Sequence, residues 1–317
     1  MLIAERPLFT QEFDIAETFT PESQSTYLFG VTSEPRSEFA VGLRRRAADV
    51  QFVELRESPA LAFETDLPEF EHIFIRRRRR LEEFVNALTG ETVYLDITGL
   101  GHSTWAPLVR VILELGRRLR VIYLEPATYS VAPGPDAGEI FDLSEEIEGI
   151  EPIPLFTTLS NASDNGANFV ALLGFEGVRL AHMINEVQPD PARIFPVIGV
   201  PGFRLHYPFD AYIGNALPME KYKAARNLKF AKSNCPFSLF YVLEDIAARS
   251  PEQQLRVGLI GTKPHALGAI LFAISRPHSV EIVYDHAKRK KGRTRGAARC
   301  LVYDVSDFLP LDRREAA

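Results

Sequence analysis

The sequence predicts an α/β fold of two doubly wound units, each with a parallel sheet and helices on both faces. Three observations carry the prediction. Short runs that are apolar on both faces alternate with helical patterns almost from end to end, as strands buried between helix layers require. Two such series occur one after the other with matching spacing, which points to internal duplication. The length, 317 residues, suits about two domains.

The first series opens with the run at 26–31 (TYLFGV), followed by a helical stretch at 37–48 and a second run at 50–55 (VQFVEL). A long amphipathic stretch then covers 69–88 and stops at Thr89-Gly90, with glycine where a helix ends. The run 92–97 (TVYLDI) is nearly all apolar; a glycine-containing turn leads from it into a helix over 103–116, and 119–124 (LRVIYL) closes the series. Residues 127–168 carry clustered Pro, Gly, Asp and Ser (VAPGPDAGE, NASDNGAN) and read as a linker or functional loop. The second series has strands at 169–173, 193–198, 254–260 and 280–284, with helices at 176–187, 237–249 and 263–275. Pro196 lies inside the second of these strands and cannot donate to a sheet ladder. A last strand at 301–305 is expected at an edge. Strand starts at about 26, 50, 92 and 119 match those at 168, 193, 255 and 280, with about 20 residues inserted in the second copy. The expected domains are 1–150 and 151–317.

Composition narrows the function classes. Hydrophobic residues make up 46% and charged residues 25%, as in an ordinary globular domain. With 36 basic and 42 acidic residues the net charge is −6, so the chain as a whole is not a general polyanion binder. Two cysteines, Cys235 and Cys300, do not make a disulfide scaffold and suit a reducing compartment. The N-terminal MLIAERPLFT has no signal-peptide core, and the longest apolar stretch, near 266–274, is far shorter than a membrane span. A cytoplasmic protein is expected.

Ligands of open parallel sheets bind beyond the carboxyl ends of the strands, where helix N-termini present unpaired N–H groups to anions. The sharpest candidate is Gly261-Thr262-Lys263-Pro264-His265. Gly261 permits a tight turn, Thr262 suits an N-cap, Pro264 suits the first helical turn, and Lys263 adds a compact positive charge. The alternative is an ordinary capped helix with a solvated lysine. The corresponding turn of the first series contains Asp96, Thr98 and Gly99, and Asp96 would orient a ligand hydroxyl or accept turn N–H bonds. In the turn after 169–173, Gly174, Glu176 and Arg179 recur in the same order as Gly30, Glu34 and Arg36. Arg179 would clamp an anion bidentately or pair with Glu176 three residues away.

Seven basic residues, Lys288, Arg289, Lys290, Lys291, Arg293, Arg295 and Arg299, lie between His286 and Cys300 without an acid. This segment reads as a loop that closes over a polyanion or meets nucleic-acid phosphates, or simply as a solvated loop. The run 76–80 is a solvated helix face. Neither a P-loop nor a GxGxxG fingerprint is present, and no HExxH, zinc-ribbon or GxSxG pattern occurs. No metal or cofactor is therefore expected, and no catalytic set is assigned. An enzymatic alternative would use His265, His286 or Asp285 as acid–base groups on a nucleotide or phosphoester.

The duplicated layout and the segment GTKPHALGAILFAI resemble the CRISPR-associated Rossmann-fold (CARF) sensors and their fused-pair SAVED relatives. The resemblance implies Rossmann-like halves binding a cyclic oligonucleotide in the cleft between them, lined by Gly261, Thr262, Lys263 and, more loosely, Gly174 and Arg179. It also implies a nucleotide sensor of bacterial antiviral defence. No stretch reads as a fused nuclease, protease or membrane effector, so such a sensor would act through a separate effector subunit. A scaffold role in a nucleic-acid-associated complex is the remaining alternative.

Overall fold

The computed structural model describes residues 9–59, 61–134, 140–157 and 166–311. The N-terminal residues 1–8 and the parts 135–139 and 158–165 of the loop-rich stretch lie outside the described residues. The chain divides into two compact units: unit 1 comprises Met1–Ala127 and Arg295–Ala317, and unit 2 comprises Thr128–Thr294. The loop-rich stretch after Ala127 joins unit 2, where two of its segments pair with strands, and the residues from Arg295 onward join unit 1 because the last strand returns to the first sheet.

In chain order the first elements are β1 (Thr10–Phe13), β2 (Thr26–Phe29), α1 (Phe39–Arg44), β3 (Gln51–Glu54), β4 (Arg56–Ser58), β5 (Ala62–Glu64) and β6 (His72–Phe74). They are followed by α2 (Arg78–Ala87), β7 (Thr92–Asp96), α3 (His102–Glu114) and β8 (Arg118–Tyr129). The next are β9 (Ser144–Glu146), β10 (Glu151–Pro152), β11 (Asn168–Leu172), α4 (Gly177–Val187), β12 (Ile194–Gly199) and α5 (Tyr207–Lys221). After these come β13 (Lys229–Ala231), α6 (Pro236–Arg249), β14 (Leu255–Leu259), α7 (Lys263–Ser275), β15 (Val280–Tyr284) and β16 (Lys288–Arg289). The chain closes with β17 (Thr294–Asp304) and α8 (Val305–Phe308).

The fold class is α/β, as the alternating runs predict. Unit 1 has the sheet order β1-β17-β8-β7-β2-β3, in which β8, β7, β2 and β3 are parallel. Unit 2 has the order β10-β15-β14-β11-β12-β13, parallel from β15 to β13. If the four strands of each series are numbered along the chain, both sheets place them in the order fourth, third, first, second. The extra strand of unit 2, β13, extends the sheet beyond the second position and belongs to the inserted residues.

Burial explains the strand sequences. In unit 2, Phe169, Ala171 and Leu173 alternate toward Leu180 and Met183 of α4 and Ala211 and Met219 of α5. Every residue of β11 is buried, as expected of a strand covered on both faces. Helix α7 is buried from Lys263 to Ile274, which accounts for its all-round apolar sequence. Pro196 fits because the β13 ladder begins only at Val197, while Val197 turns its carbonyl toward Leu173 on the other side. Alternation then directs the Pro196 nitrogen toward the unpaired side.

Several elements differ from expectation. The helix expected over 37–48 is a 3₁₀ turn, Pro35–Glu38, followed by the short α1. Of the helix expected over 69–88 only Arg78–Ala87 is α-helical, with a 3₁₀ turn at Pro68–Phe70 ahead of it. Between them, Ile73 and Ile75 are buried while His72 and Phe74 are exposed, a period of two that makes β6. The strand expected at an edge is β17, which lies between β1 and β8. The loop-rich stretch contributes β9, paired with β16, and β10, paired with β15. Among the described residues no helix is long and apolar enough to cross a membrane.

Candidate functional site

The strand order of unit 2 reverses between β11 and β14, and the turns after these strands lead into α4 and α7. A crevice for a ligand opens at such a point. Two glycines shape it. A Cβ on Gly174 would lie 2.7 Å from the Ile260 carbonyl oxygen, and one on Gly261 would lie 2.9 Å from that of Leu173. Adjacent strand ends therefore touch backbone to backbone, which only glycine permits. Gly99 does the same in unit 1, where its Cβ would meet the Gly30 carbonyl oxygen at 1.8 Å, whereas a Cβ on Gly30 would first meet the Leu100 side chain at 2.4 Å.

Thr262 caps α7, its hydroxyl accepting the His265 N–H at 3.3 Å and donating to the Ser233 carbonyl at 2.8 Å. Lys263 is the first helical residue and only 6% exposed. The macrodipole disfavours a cation at that end of a helix, and an anion beside the helix start reverses the balance. His265 is wholly buried, with Nε2 3.0 Å from the Lys232 carbonyl oxygen. Burial pushes its pKa down to about 4, so the neutral ring donates from Nε2.

Arg179 turns inward rather than toward Glu176. Its Nε and Nη2 donate to the Asp285 carboxylate at 2.7 and 2.6 Å, and Nη1 reaches the Ile260 carbonyl at 3.3 Å. Burial disfavours the guanidinium charge, but the fully buried Asp285 more than offsets this and raises the arginine above its ordinary range. Glu176 accepts the N–H groups of Leu143 and Ser144 at 2.8 and 2.9 Å and the Ser144 hydroxyl at 2.8 Å. Beside these groups lies a groove of about 880 Å³, lined in part by Phe141, Phe175, Glu176, Arg179, Ile213 and Leu217. Arg179 links it to the Gly261 turn through the carbonyl of Ile260.

In unit 1 the equivalent groups are also inward. Asp96 accepts the Tyr27 hydroxyl at 3.1 Å and the Thr98 N–H at 2.8 Å, and the Thr98 hydroxyl accepts the Leu124 N–H at 2.9 Å. Arg36 is buried, with Nε and Nη2 donating to Glu34 at 3.0 and 2.6 Å and Nη1 donating to the Leu124 carbonyl. Sequence reasoning missed Glu57, which accepts the Gly101 N–H at 2.8 Å and so places the chain's own carboxylate at the start of α3.

The basic segment is partly neutralised from within. Its β16 pairs with the acidic β9; Lys288 Nζ lies 3.2 Å from Glu145, and Lys290 pairs with Asp142. Arg299 pairs with both Glu12 and Glu125 at 2.8 Å. Arg289 and Arg293 are half-buried, whereas Lys291 and Arg295 are exposed. The acid–base candidates have structural partners too, since Asp285 holds Arg179 and His286 Nε2 lies 3.1 Å from the Glu151 carbonyl oxygen. Among the described residues no group of three or more His, Cys, Asp or Glu side chains is placed to hold a metal ion. No protein-family model and no curated protein matches the chain.

Proposed function

We propose that this chain is a nucleotide-binding sensor or regulatory subunit of the kind used in bacterial antiviral defence, and that it recognises a phosphodiester or phosphate at the start of α7. The observation that carries the reading is the buried lysine opening a helix at the sheet's reversal point, beside the half-exposed Gly261 and Thr262. Lys263 neutralises the phosphate, and amides of the 261–263 turn bond it. The adjoining groove, within the 300–1,000 Å³ typical of small-molecule sites, takes the nucleoside. Arg179 and Arg36 act indirectly, by fixing the turns around the strand ends. The strand order common to both sheets supports an origin by duplication, and the resemblance of GTKPHALGAILFAI to CARF sensors supports a cyclic oligonucleotide as the ligand class. Two unpaired cysteines are in keeping with a cytoplasmic location, and the output passes to a separate effector.

Isothermal titration of the full chain against mono-, di- and cyclic oligonucleotides tests the proposal. At least one ligand should bind in the micromolar range or tighter, and Lys263→Met should weaken it roughly 10- to 100-fold. Binding only at millimolar levels for every ligand would overturn it.

A further inference from the structure

Helix α5 buries one face, through Tyr207, Ala211, Asn215, Pro218 and Met219. Its other face bears a ridge of large apolar side chains every fourth residue, continued from the turn just ahead of the helix. Leu205 is 90% exposed, Phe209 70%, Ile213 47% and Leu217 75%. Exposed Tyr212 flanks the ridge, and exposed Val178 lines the same groove as Ile213 and Leu217. Within the helix between Tyr207 and Met219 the only charged residue is Asp210. A contiguous apolar surface of this kind is uncommon on a monomer and marks an interaction site.

We propose that α5 is the interface of a two-fold homodimer, with Ile213 on the dyad. The sequence of the ridge is self-complementary about that residue. In an antiparallel pair, Phe209 faces Leu217 of the second copy and Leu217 faces its Phe209, four positions either side of Ile213. Leu205, eight positions away, meets the aliphatic stem of Lys221. The ends complement each other as well, because His206 and Glu220 are equally distant from Ile213, so that the imidazole N–H of one copy meets the carboxylate of the other. A two-fold axis brings each against its counterpart, as an isologous interface requires. The exposed apolar side chains present on the order of 600 Å² per chain, or about 1,200 Å² across the pair, which reaches the range of specific interfaces. Ile213 and Leu217 also line the groove, so the second copy would wall one side of it.

Sedimentation velocity of the full chain without nucleotide, from about 1 to 100 µM, provides the test. The sedimenting mass should rise with concentration to that of two chains. Phe209→Glu and Leu217→Glu should each raise the dissociation constant roughly 30-fold or more while leaving the circular dichroism unchanged. Ile213→Cys, in a Cys235→Ser background with a mild oxidant added, should give a disulfide-linked dimer. A wild-type chain that stays monomeric throughout, a dimer that survives both glutamate substitutions, or an Ile213→Cys chain that does not cross-link would each overturn the assignment. None of these outcomes depends on nucleotide binding.

Discussion

Arg36 and Arg179 occupy corresponding turns, and each reaches across the carboxyl ends of its sheet to the fourth strand of its series. Arg36 bonds the Leu124 carbonyl in β8, and Arg179 bonds Asp285 immediately after β15. The recurrence visible in the sequence therefore reflects a repeated strut rather than two solvent-facing clamps. The Thr262-Lys263-Pro264 start was legible because caps and first-turn prolines follow local rules. The Arg179–Asp285 pair was not, since the partners are 106 residues apart and no spacing rule joins them. His265 yields a pH prediction at this scale. Its ordinary pKa is 6.5 and its folded value about 4, so between those values the unfolded chain binds a proton that the folded chain does not. The stability it confers is complete above pH 6.5 and declines as pH falls toward 4. Urea unfolding at pH 7 and pH 4.5 should show the wild type losing about 2 kcal/mol more than His265→Gln. Equal losses would contradict the neutral buried imidazole.

Strands covered on both faces advertise themselves as apolar runs, and all eight expected strand starts of the two series lie within a residue of those observed. The elements that escaped detection obey other patterns. Strands β4, β5 and β6 form a small antiparallel sheet of three residues each, too short for alternation to register. Helix α5 escaped because its outward face is as apolar as its inward one, which erases amphipathic contrast. That helix is seated on α4 by a glycine contact: a Cβ on Gly177 would lie 2.1 Å from the Gly214 carbonyl oxygen. Gly177→Ala should therefore force the two helices apart and cost about 2 kcal/mol. Gly42, inside α1, has open space where a Cβ would stand, with nothing within 4 Å, so Gly42→Ala should stabilise by about 0.5–1 kcal/mol. Chemical unfolding of both variants decides the matter, and shifts of the same sign would contradict the packing described for α4 and α5.

The division of the chain into units could not be read from local composition. The loop-rich stretch reads in sequence as a linker or functional loop, and β9 and β10 tie it to β16 and β15 within unit 2. Unit 1 is discontinuous because β17 inserts between β1 and β8, a pairing between residues nearly the whole chain apart. Aligning the two series matched strand positions but gave no strand order; the sheets supply that order, the same in both units, and it locates the reversal point on which the functional proposal depends. That proposal is tested most directly by amide chemical-shift mapping of the isotopically labelled chain during titration with a binding cyclic oligonucleotide. The N–H signals of Gly261, Thr262 and Lys263 should move together, with those of residues 175–179 lining the adjoining groove. Shifts confined to the basic segment 288–295, with the 261–263 amides unmoved, would contradict it.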